Sequence, residues 1–303
     1  MVSEEYSFYE ISDYLINNID LLVTGEPNDE ERNHFFLDMW KKNGRDVLVL
    51  KQLDNGYVLC HLNKKHKDTL VKEDLCVGLP RYLKSLNLSG NNVLLDMSGL
   101  SHVLLMFLTK QFIKYLSPKT LFAAYIRPQK YLDESGDVGC RLCQRTGAVD
   151  SVPGFAKRNS DNQTLCTFLG FEGVRLKSVL ETVSSFKRLV PIVAFPSGTP
   201  QWYNVAMRNN MNVLQSVAKN LTVYKCFSES VFGAIELLDN TIDLNDNVVL
   251  APLGTRPHSM ACAIYACRNS KARIVYDFPV ETSHRTAGVA SIKIYHLSTF
   301  ITN

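Results

Sequence analysis

Apolar residues recur at helical spacing near the start of the chain, in the stretch DEERNHFFLDMWKKNG. Acidic residues open this stretch, and Gly44 follows at the point where a helix would stop. The side chains on the predicted apolar face are Phe35, Phe36, Met39 and Trp40. Two β-rich runs, RDVLVLKQL and YVLCHL, come next and are separated by Asp54-Asn55-Gly56, in which the Asn-Gly pair favours a tight hairpin turn. The pattern predicts that residues 1–90 form a small α+β attachment.

From Asn92 onward, apolar runs alternate with longer helical segments. The apolar runs are NVLLDMS, TLFAAYI, TLCTFLGF, LVPIVAF, TVYKC, NVVLAPL, ARIVYDF and VASIKIYHL. Runs this apolar are typical of parallel strands that are covered on both faces. Residues 91–303 are therefore predicted to form a Rossmann-like α/β domain, with one mainly parallel sheet and helices on both faces. The last run alternates enough in polarity to be an edge strand.

A long segment at about 127–163 interrupts this alternation and contains several Gly, Asp, Arg and Pro residues. Loops of this length are commonly functional or mobile. The segment leaves the strand that ends near Ile126, so we expect it to border the carboxyl edge of the sheet and to be mobile.

Composition narrows the class of protein. The chain has 303 residues, of which 46% are hydrophobic and 21% charged, as in ordinary globular proteins. The formal net charge of +3 gives no electrostatic argument for a nucleic-acid partner. The start, MVSEEYSFYEISDYL, does not resemble a secretory signal, and no apolar run approaches the roughly 20 residues of a membrane-spanning helix. We expect a cytoplasmic protein with no membrane association.

The eight cysteines are scattered, and several lie in apolar runs where a thiol packs as a small hydrophobic group. We expect no disulfides. Cys140 and Cys143 have zinc-knuckle spacing, but no second pair or paired histidines follow at a suitable distance. The sequence predicts neither a metal site nor a cofactor.

Four predicted βα loops are rich in small or polar residues. Ligands in open α/β sheets bind at the carboxyl ends of the strands, where loops and helix N-termini supply donors. The candidate ligand-binding residues are Asp96, Ser98, Gly170, Glu172, Ser197, Gly254, Thr255 and Arg256. We expect their loops, together with Pro196, along one edge of a single sheet, with Arg256 facing solvent. The alternative is that these residues only turn the chain and cap helices.

An enzymatic alternative rests on DFPVETSHRTAG, which directly follows a predicted strand. The candidates are Asp277, Glu281, His284 and Arg285. In this interpretation His284 acts as a general base and Arg285 holds an anion. A solvated loop with ordinary charges is the competing interpretation. The chain contains no Walker A loop, GxGxxG fingerprint, GxSxG elbow or HExxH motif.

The stretch NVVLAPLGTRPHSMACAIYA resembles the strand, turn and small-residue helix of CRISPR-associated Rossmann-fold (CARF) sensor domains, and LLDMSG resembles their first βα loop. The last two hundred residues are also similar to CARF-like proteins of bacterial antiviral operons, which share the Gly-Phe-Glu-Gly and Ala-Pro-Leu-Gly-Thr loops. The chain departs from the CARF pattern at Arg256, where the turn usually has Lys, and at Pro252-Leu253, which replaces a second Gly.

CARF domains bind cyclic oligonucleotides at the carboxyl edge of the sheet, so the resemblance implies a nucleotide-type anion as ligand. It implies a nucleotide-sensing or adaptor/regulatory subunit of a bacterial antiviral defence system. Such a subunit would act through a partner protein, in a homo-oligomer or a hetero-complex. The alternatives are a nucleotide-processing hydrolase or transferase, and a structural subunit with a vestigial pocket.

Overall fold

The structure is a computed structural model, and it describes residues 4–5, 17–28, 30–52, 57–62, 69–132, 142–158, 162–183, 185–217, 221–243, 245–282 and 284–301. The chain divides into two compact units. The first unit is Met1–Gln129 with Thr286–Asn303, and the second is Lys130–Arg285. The second unit is therefore inserted into the first.

The first unit is built on an eight-stranded sheet. Its strands are β1 (Glu4–Glu5), β2 (Leu21–Gly25), β3 (Asp46–Gln52), β4 (Tyr57–Leu62), β5 (Thr69–Asp74), β6 (Asn92–Asp96), β7 (Thr120–Tyr131) and β16 (Thr286–His296), in the order β1-β16-β7-β6-β2-β3-β4-β5. Its helices are α1 (Glu31–Lys42), α2 (Gly78–Ser85) and α3 (His102–Gln111). Strands β7, β6, β2 and β3 are parallel neighbours, whereas β3, β4 and β5 pair antiparallel.

Two local predictions for the first ninety residues are confirmed. Helix α1 ends at Lys42, and Gly44 follows it with a φ of +59°, the left-handed conformation common after a helix. Strands β3 and β4 form the predicted antiparallel pair. The Asn55-Gly56 turn between them lies outside the described residues.

The prediction of an N-terminal attachment is wrong. Strand β2, with the sequence LLVTG, lies between β6 and β3 at the centre of the parallel part of the sheet. Ile19 and Leu22 share one hydrophobic core with Phe36 and Trp40 of α1 and with Leu94 of β6. The boundary predicted near residue 90 therefore falls inside the first unit, because the segment before it supplies strands and core to the same sheet.

The second unit is built on a six-stranded sheet. Its strands are β9 (Asp150–Ser151), β10 (Gln163–Phe168), β11 (Arg188–Ala194), β12 (Tyr224–Cys226), β13 (Asn247–Pro252) and β14 (Ala272–Tyr276), in the order β12-β11-β10-β13-β14-β9. Strands β10 to β14 are parallel, and β9 runs antiparallel to β14. Two short strands, β8 (Cys143–Arg145) and β15 (Val280–Glu281), pair separately. The helices are α4 (Gly173–Thr182), α5 (Pro200–Val217), α6 (Val231–Thr241) and α7 (Arg256–Arg268).

The mixed α/β, Rossmann-like fold class is confirmed, but the prediction of a single sheet is wrong. Sequence periodicity identified these strands without revealing which sheet each one joins. All of the run VASIKIYHL except Leu297 lies within β16, which has β1 on one side and β7 on the other, so it is not an edge strand. The segment 127–163 contains the end of β7, both β8 and β9, and the start of β10, and is therefore not one uninterrupted loop. Its mobility stays a prediction.

Two loops of the first unit approach each other so closely that Gly25 cannot carry a side chain. A Cβ added at Gly25 would lie 1.9 Å from the carbonyl oxygen of Gly99. We expect Gly25→Ala to lower the free energy of unfolding of the first unit by about 1–3 kcal/mol, since backbone must move to admit the methyl group. Gly90→Ala is the control, because a Cβ there has open space. Urea denaturation measures both variants, and equal stabilities would contradict the packing described.

Candidate functional site

The second unit has a topological switch point between β10 and β13. From β10 the chain continues to β11 and β12 on one side of the sheet, and then crosses to β13 and β14 on the other. In open α/β sheets this arrangement leaves a crevice at the carboxyl ends of the two central strands, where ligands bind. The loops after β10 and β13 contain the predicted residues Gly170 and Gly254. The switch point is therefore the candidate site.

The two loops at the switch point touch through their backbones. A Cβ at Gly170 would lie 2.3 Å from the carbonyl oxygen of Leu253, and one at Gly254 would lie 3.0 Å from that of Leu169. The amide of Leu253 donates to the Phe168 carbonyl at 3.0 Å. Glycine is needed here because a larger residue would push the loops apart.

Arg175, in the first turn of α4, ties two strand ends together. Its Nε and Nη2 donate to the two carboxylate oxygens of Asp277, each at 2.7 Å, and its Nη1 donates to the Leu253 carbonyl at 3.1 Å. The guanidinium also lies 5.4 Å from the ring centre of Tyr276, and burial raises the pKa of Tyr276 to about 12. The buried, two-pronged ion pair connects α4 to the end of β14, and the hydrogen bond to Leu253 connects it to the end of β13.

The ion pair changes the interpretation of Asp277, a catalytic candidate from the sequence. Asp277 is fully buried and both of its oxygens are bound by Arg175, so it is held as a structural anion. Sequence reasoning missed Arg175. The sequence does place an arginine in the first turn of the helix after Gly-Phe-Glu-Gly. Its partner, Asp277, is 102 residues away, and only the order of the strands in the sheet brings the two together.

Glu172 holds the segment that leads into β8. Its carboxylate accepts hydrogen bonds from the amides of Leu142 and Cys143, at 2.6 and 3.1 Å. Burial and the nearby Glu172 carboxylate raise the pKa of the Cys143 thiol to about 11. The contact explains why an acidic residue precedes α4. The Glu172 carboxylate, a candidate ligand-binding group, binds the protein's own backbone. Cys140, the other member of the CxxC pair, lies outside the described residues.

The turn after β13 is tied to the loop after β12. Thr255, which precedes α7, donates its hydroxyl to the Ser228 carbonyl at 2.7 Å and does not cap the helix with its side chain. The Ser228 hydroxyl is buried and has no hydrogen-bond partner in the part of the chain that the structure describes. Arg256 is the first residue of α7 and is 8% exposed. The prediction that Arg256 faces solvent is therefore wrong, because it begins a buried helix.

His258 lies in the same first turn and is almost fully buried. Its Nε2 is 3.0 Å from the Phe227 carbonyl, so the tautomer that fits carries its proton on Nε2. Its ring packs on Phe168 with 4.6 Å between ring centres. Burial lowers the pKa of His258 to about 4, so the ring is neutral at physiological pH.

The remaining candidates of the second unit make local contacts. Ser197 donates its hydroxyl to the Thr199 carbonyl at 2.5 Å, just after the cis bond between Phe195 and Pro196. Glu281 and Arg285 form an ion pair of 2.8 Å, in which Arg285 is buried. His284 is exposed and has a φ of +51°.

The expectation of one common edge is confirmed for three of its four positions. Gly170, Pro196 and Gly254 each follow a strand of the parallel set formed by β10, β11 and β13, so they lie at its carboxyl edge. Asp96 and Ser98 belong to the first unit, and placing them in the same sheet was wrong.

In the first unit, the loop after β6 binds its own backbone. The Asp96 carboxylate accepts from the amides of Ser98 and Gly99, at 2.9 and 3.2 Å, and from the hydroxyl of Thr24 at 2.8 Å. The Ser98 hydroxyl oxygen accepts from the Ile126 amide at 2.9 Å. Loop amides that could hold an anion are therefore occupied by Asp96 itself.

No protein-family model matches the chain, and no curated protein matches it. The resemblance to CARF domains stays a prediction. Within the described residues, no helix combines the length and the apolar character needed to cross a membrane.

Proposed function

We propose that the second unit binds a nucleotide-type anion at the switch point between β10 and β13. We further propose that the chain is a nucleotide-sensing or adaptor/regulatory subunit of a bacterial antiviral defence system and acts through a partner protein. The resemblance of NVVLAPLGTRPHSMACAIYA to CARF domains supports the second statement. The topology of the six-stranded sheet supports the proposal that an anion binds at the switch point.

The observation that supports binding most is the composition of the switch point. Two glycine-containing loops meet there, and the N-terminus of α7 adds the cationic Arg256 next to Gly254 and Thr255. An arginine at this position supplies charge and a two-pronged hydrogen bond for a phosphate. The nearby Ser228 hydroxyl is buried without a partner among the described residues, which supports a polar ligand at this edge.

The enzymatic alternative receives no specific support from the loop after β14. Asp277 is bound by Arg175 on both oxygens, and Arg285 pairs with Glu281. These contacts hold the loop in place, and they engage three of the four candidates, so that Asp277, Glu281 and Arg285 do not act as a free acid, base or anion clamp. We therefore propose a binding function rather than turnover.

Replacing Arg256 tests the proposed site. We expect Arg256→Ala to weaken binding by about 1.5–3 kcal/mol, the usual range for a hydrogen bond to a charged group. Arg256→Lys retains the charge but not the two-pronged geometry, so we expect an intermediate loss. Calorimetric titration with cyclic oligonucleotides of different ring sizes and with ATP measures the affinity. Because Arg256 is buried, its replacement can also lower the stability of the protein. Unfolding curves of the same variants therefore separate a loss of binding from a loss of stability.

Mass spectrometry of small molecules released from the purified, denatured full chain identifies a retained ligand. We expect a nucleotide-type anion in the wild-type protein and less of it in Arg256→Ala. The proposal is overturned if the wild-type chain neither retains nor binds a nucleotide. It is equally overturned if Arg256→Ala lowers the melting temperature and leaves the affinity unchanged. Hydrolysis of the bound nucleotide would restore the enzymatic alternative.

A further inference from the structure

Arg273 is a buried arginine at the amino edge of the second sheet. It is the second residue of β14, and in a parallel strand this position lies at the end opposite the switch point. It is 8% exposed. Taking a guanidinium out of water costs several kcal/mol unless hydrogen bonds and an opposite charge compensate. Buried arginines are therefore expected to have well-formed partners.

The partners of Arg273 are few. Its Nη2 lies 3.5 Å from the side-chain oxygen of Gln163, beyond the usual range for an N–H···O hydrogen bond, and its Nε is buried with no hydrogen-bond partner among the described residues. Gln163 is fixed in this orientation because its amide nitrogen donates to the Ser185 carbonyl at 2.7 Å. A guanidinium has five N–H donors, so most of the donors of Arg273 have no partner among the described residues.

Arg175 of the same unit has a similar exposed fraction and provides a comparison, because its guanidinium has well-formed hydrogen-bond partners. Arg175 is 7% exposed, and it binds a carboxylate with two prongs and a carbonyl with a third. Arg273 has the same degree of burial and no ion pair with a described residue. Burial lowers the pKa of the Arg273 guanidinium, the direction expected for a cation without an acidic partner.

Other cations lie along the same edge. Lys271 directly precedes β14 and is exposed. Lys187 directly precedes β11 and donates its amide to the Gln163 carbonyl, and Arg188 begins that strand. A cleft of 410 Å³ opens at the start of β11 and is lined in part by Lys187 and Arg188. Asp246 is an acidic side chain at this edge, and it is bound by Lys187 and by Thr164. The positive charges of Arg188, Lys271 and Arg273 favour an anion at this edge.

We infer that Arg273 anchors an oxyanion-binding site at the amino edge of the second sheet, where it takes a phosphate or carboxylate group. A planar two-oxygen group fits the fork of a guanidinium and would satisfy the donors that the protein leaves unused. This site is separate from the switch point, because Arg273 and Arg256 lie at opposite ends of parallel strands.

Titration of the full chain with inorganic phosphate and, separately, with acetate tests the site and distinguishes the two anions. Ionic strength is kept constant with sodium chloride, because phosphate also stabilises proteins by exclusion from their surface. We expect saturable binding in the wild-type protein and an affinity at least about tenfold weaker in Arg273→Met, the loss expected for hydrogen bonds to a charged group. Arg273→Lys retains the charge without the fork and should also bind more weakly.

Two controls isolate Arg273 from other cations. Lys271→Met removes an exposed charge from the same edge and should retain binding. Arg256→Ala removes the phosphate binding proposed for the switch point, so the saturable binding that remains in this variant reports the Arg273 site. If Arg273 is only a hydrated buried cation, Arg273→Met will be as stable as the wild type or more stable. Titrations with phosphate and with acetate will then give the same result for both proteins. That result overturns the inference, as does the absence of saturable binding of either anion to the wild-type chain.

Discussion

Asp277→Ala is expected to lower the free energy of unfolding of the second unit by about 3–5 kcal/mol. The substitution leaves the guanidinium of Arg175 buried without its carboxylate, and such an uncompensated charge is far more costly than the loss of an exposed ion pair. Arg175 also holds the Leu253 carbonyl, so the loop after β13 should loosen together with the end of β14. Chemical denaturation followed by hydrogen exchange measures both effects.

The matched control is an exposed ion pair on the same helix. Lys177 and Glu181 lie 3.8 Å apart and are 65% and 66% exposed, so Glu181→Ala should change stability little. The double variant Arg175→Met, Asp277→Leu replaces both charges with apolar groups and should recover much of the loss. A loss for Asp277→Ala no larger than that for Glu181→Ala would contradict the role given to the buried pair.

His258 is expected to make the second unit less stable as the pH falls from about 6.5 to about 4. The pKa of His258 is about 4 in the folded protein, against 6.5 for an ordinary histidine. Between these values the unfolded chain binds a proton that the folded chain does not bind, so stability rises with pH across this window. The contribution is fully present above pH 6.5 and amounts to about 3 kcal/mol, since one pKa unit corresponds to 1.36 kcal/mol.

Urea denaturation at a series of pH values measures this contribution. His258→Gln is the appropriate variant, because its side-chain amide can still donate to the Phe227 carbonyl but does not titrate. We expect the variant to lose most of the pH dependence between pH 4 and 6.5. Carboxylates contribute to acid sensitivity in both proteins, so the difference between them isolates His258. Identical slopes would show that His258 is more solvated than its burial indicates.

The sequence predicts most of the local structure because its signals are local. Strands β10, β11, β13 and β14 are short apolar runs followed by helical segments, and the helix α1 and the β3–β4 pair also match their patterns. The run LLVTG was missed as a strand because five residues without a clear flanking pattern do not stand out. Its position at the centre of a sheet is decided by pairing with β3 and β6, which lie elsewhere in the sequence.

The same limit applies to the candidate site. The glycines at positions 170 and 254 could be predicted because a loop after each apolar run must turn tightly. The contacts of Arg175 with Asp277, and of Thr255 with Ser228, could not be predicted, since each joins residues separated by many positions and depends on strand order. The burial of Arg256 follows from the packing of α7, which the spacing of its small residues did not reveal.

The insertion of one unit into the other constrains how a nascent chain completes its fold. Strands β7 and β16 are neighbours in one sheet, yet residues Lys130–Arg285 separate the two parts of the first unit. At ordinary rates of translation, β16 leaves the ribosome roughly ten to thirty seconds after β7. During that interval one edge of β7 lacks its partner and is open to wrong pairing.

Folding of the inserted unit shortens this exposure. The Leu132 amide donates to the Arg285 carbonyl at 2.8 Å, so the entry and exit points of the insertion lie side by side once it has folded. Closing a long unfolded loop carries an entropic cost, and a folded insertion removes most of that cost for the pairing of β16. Substitutions that slow the folding of the second unit should therefore delay completion of the first, although they lie in a different sheet.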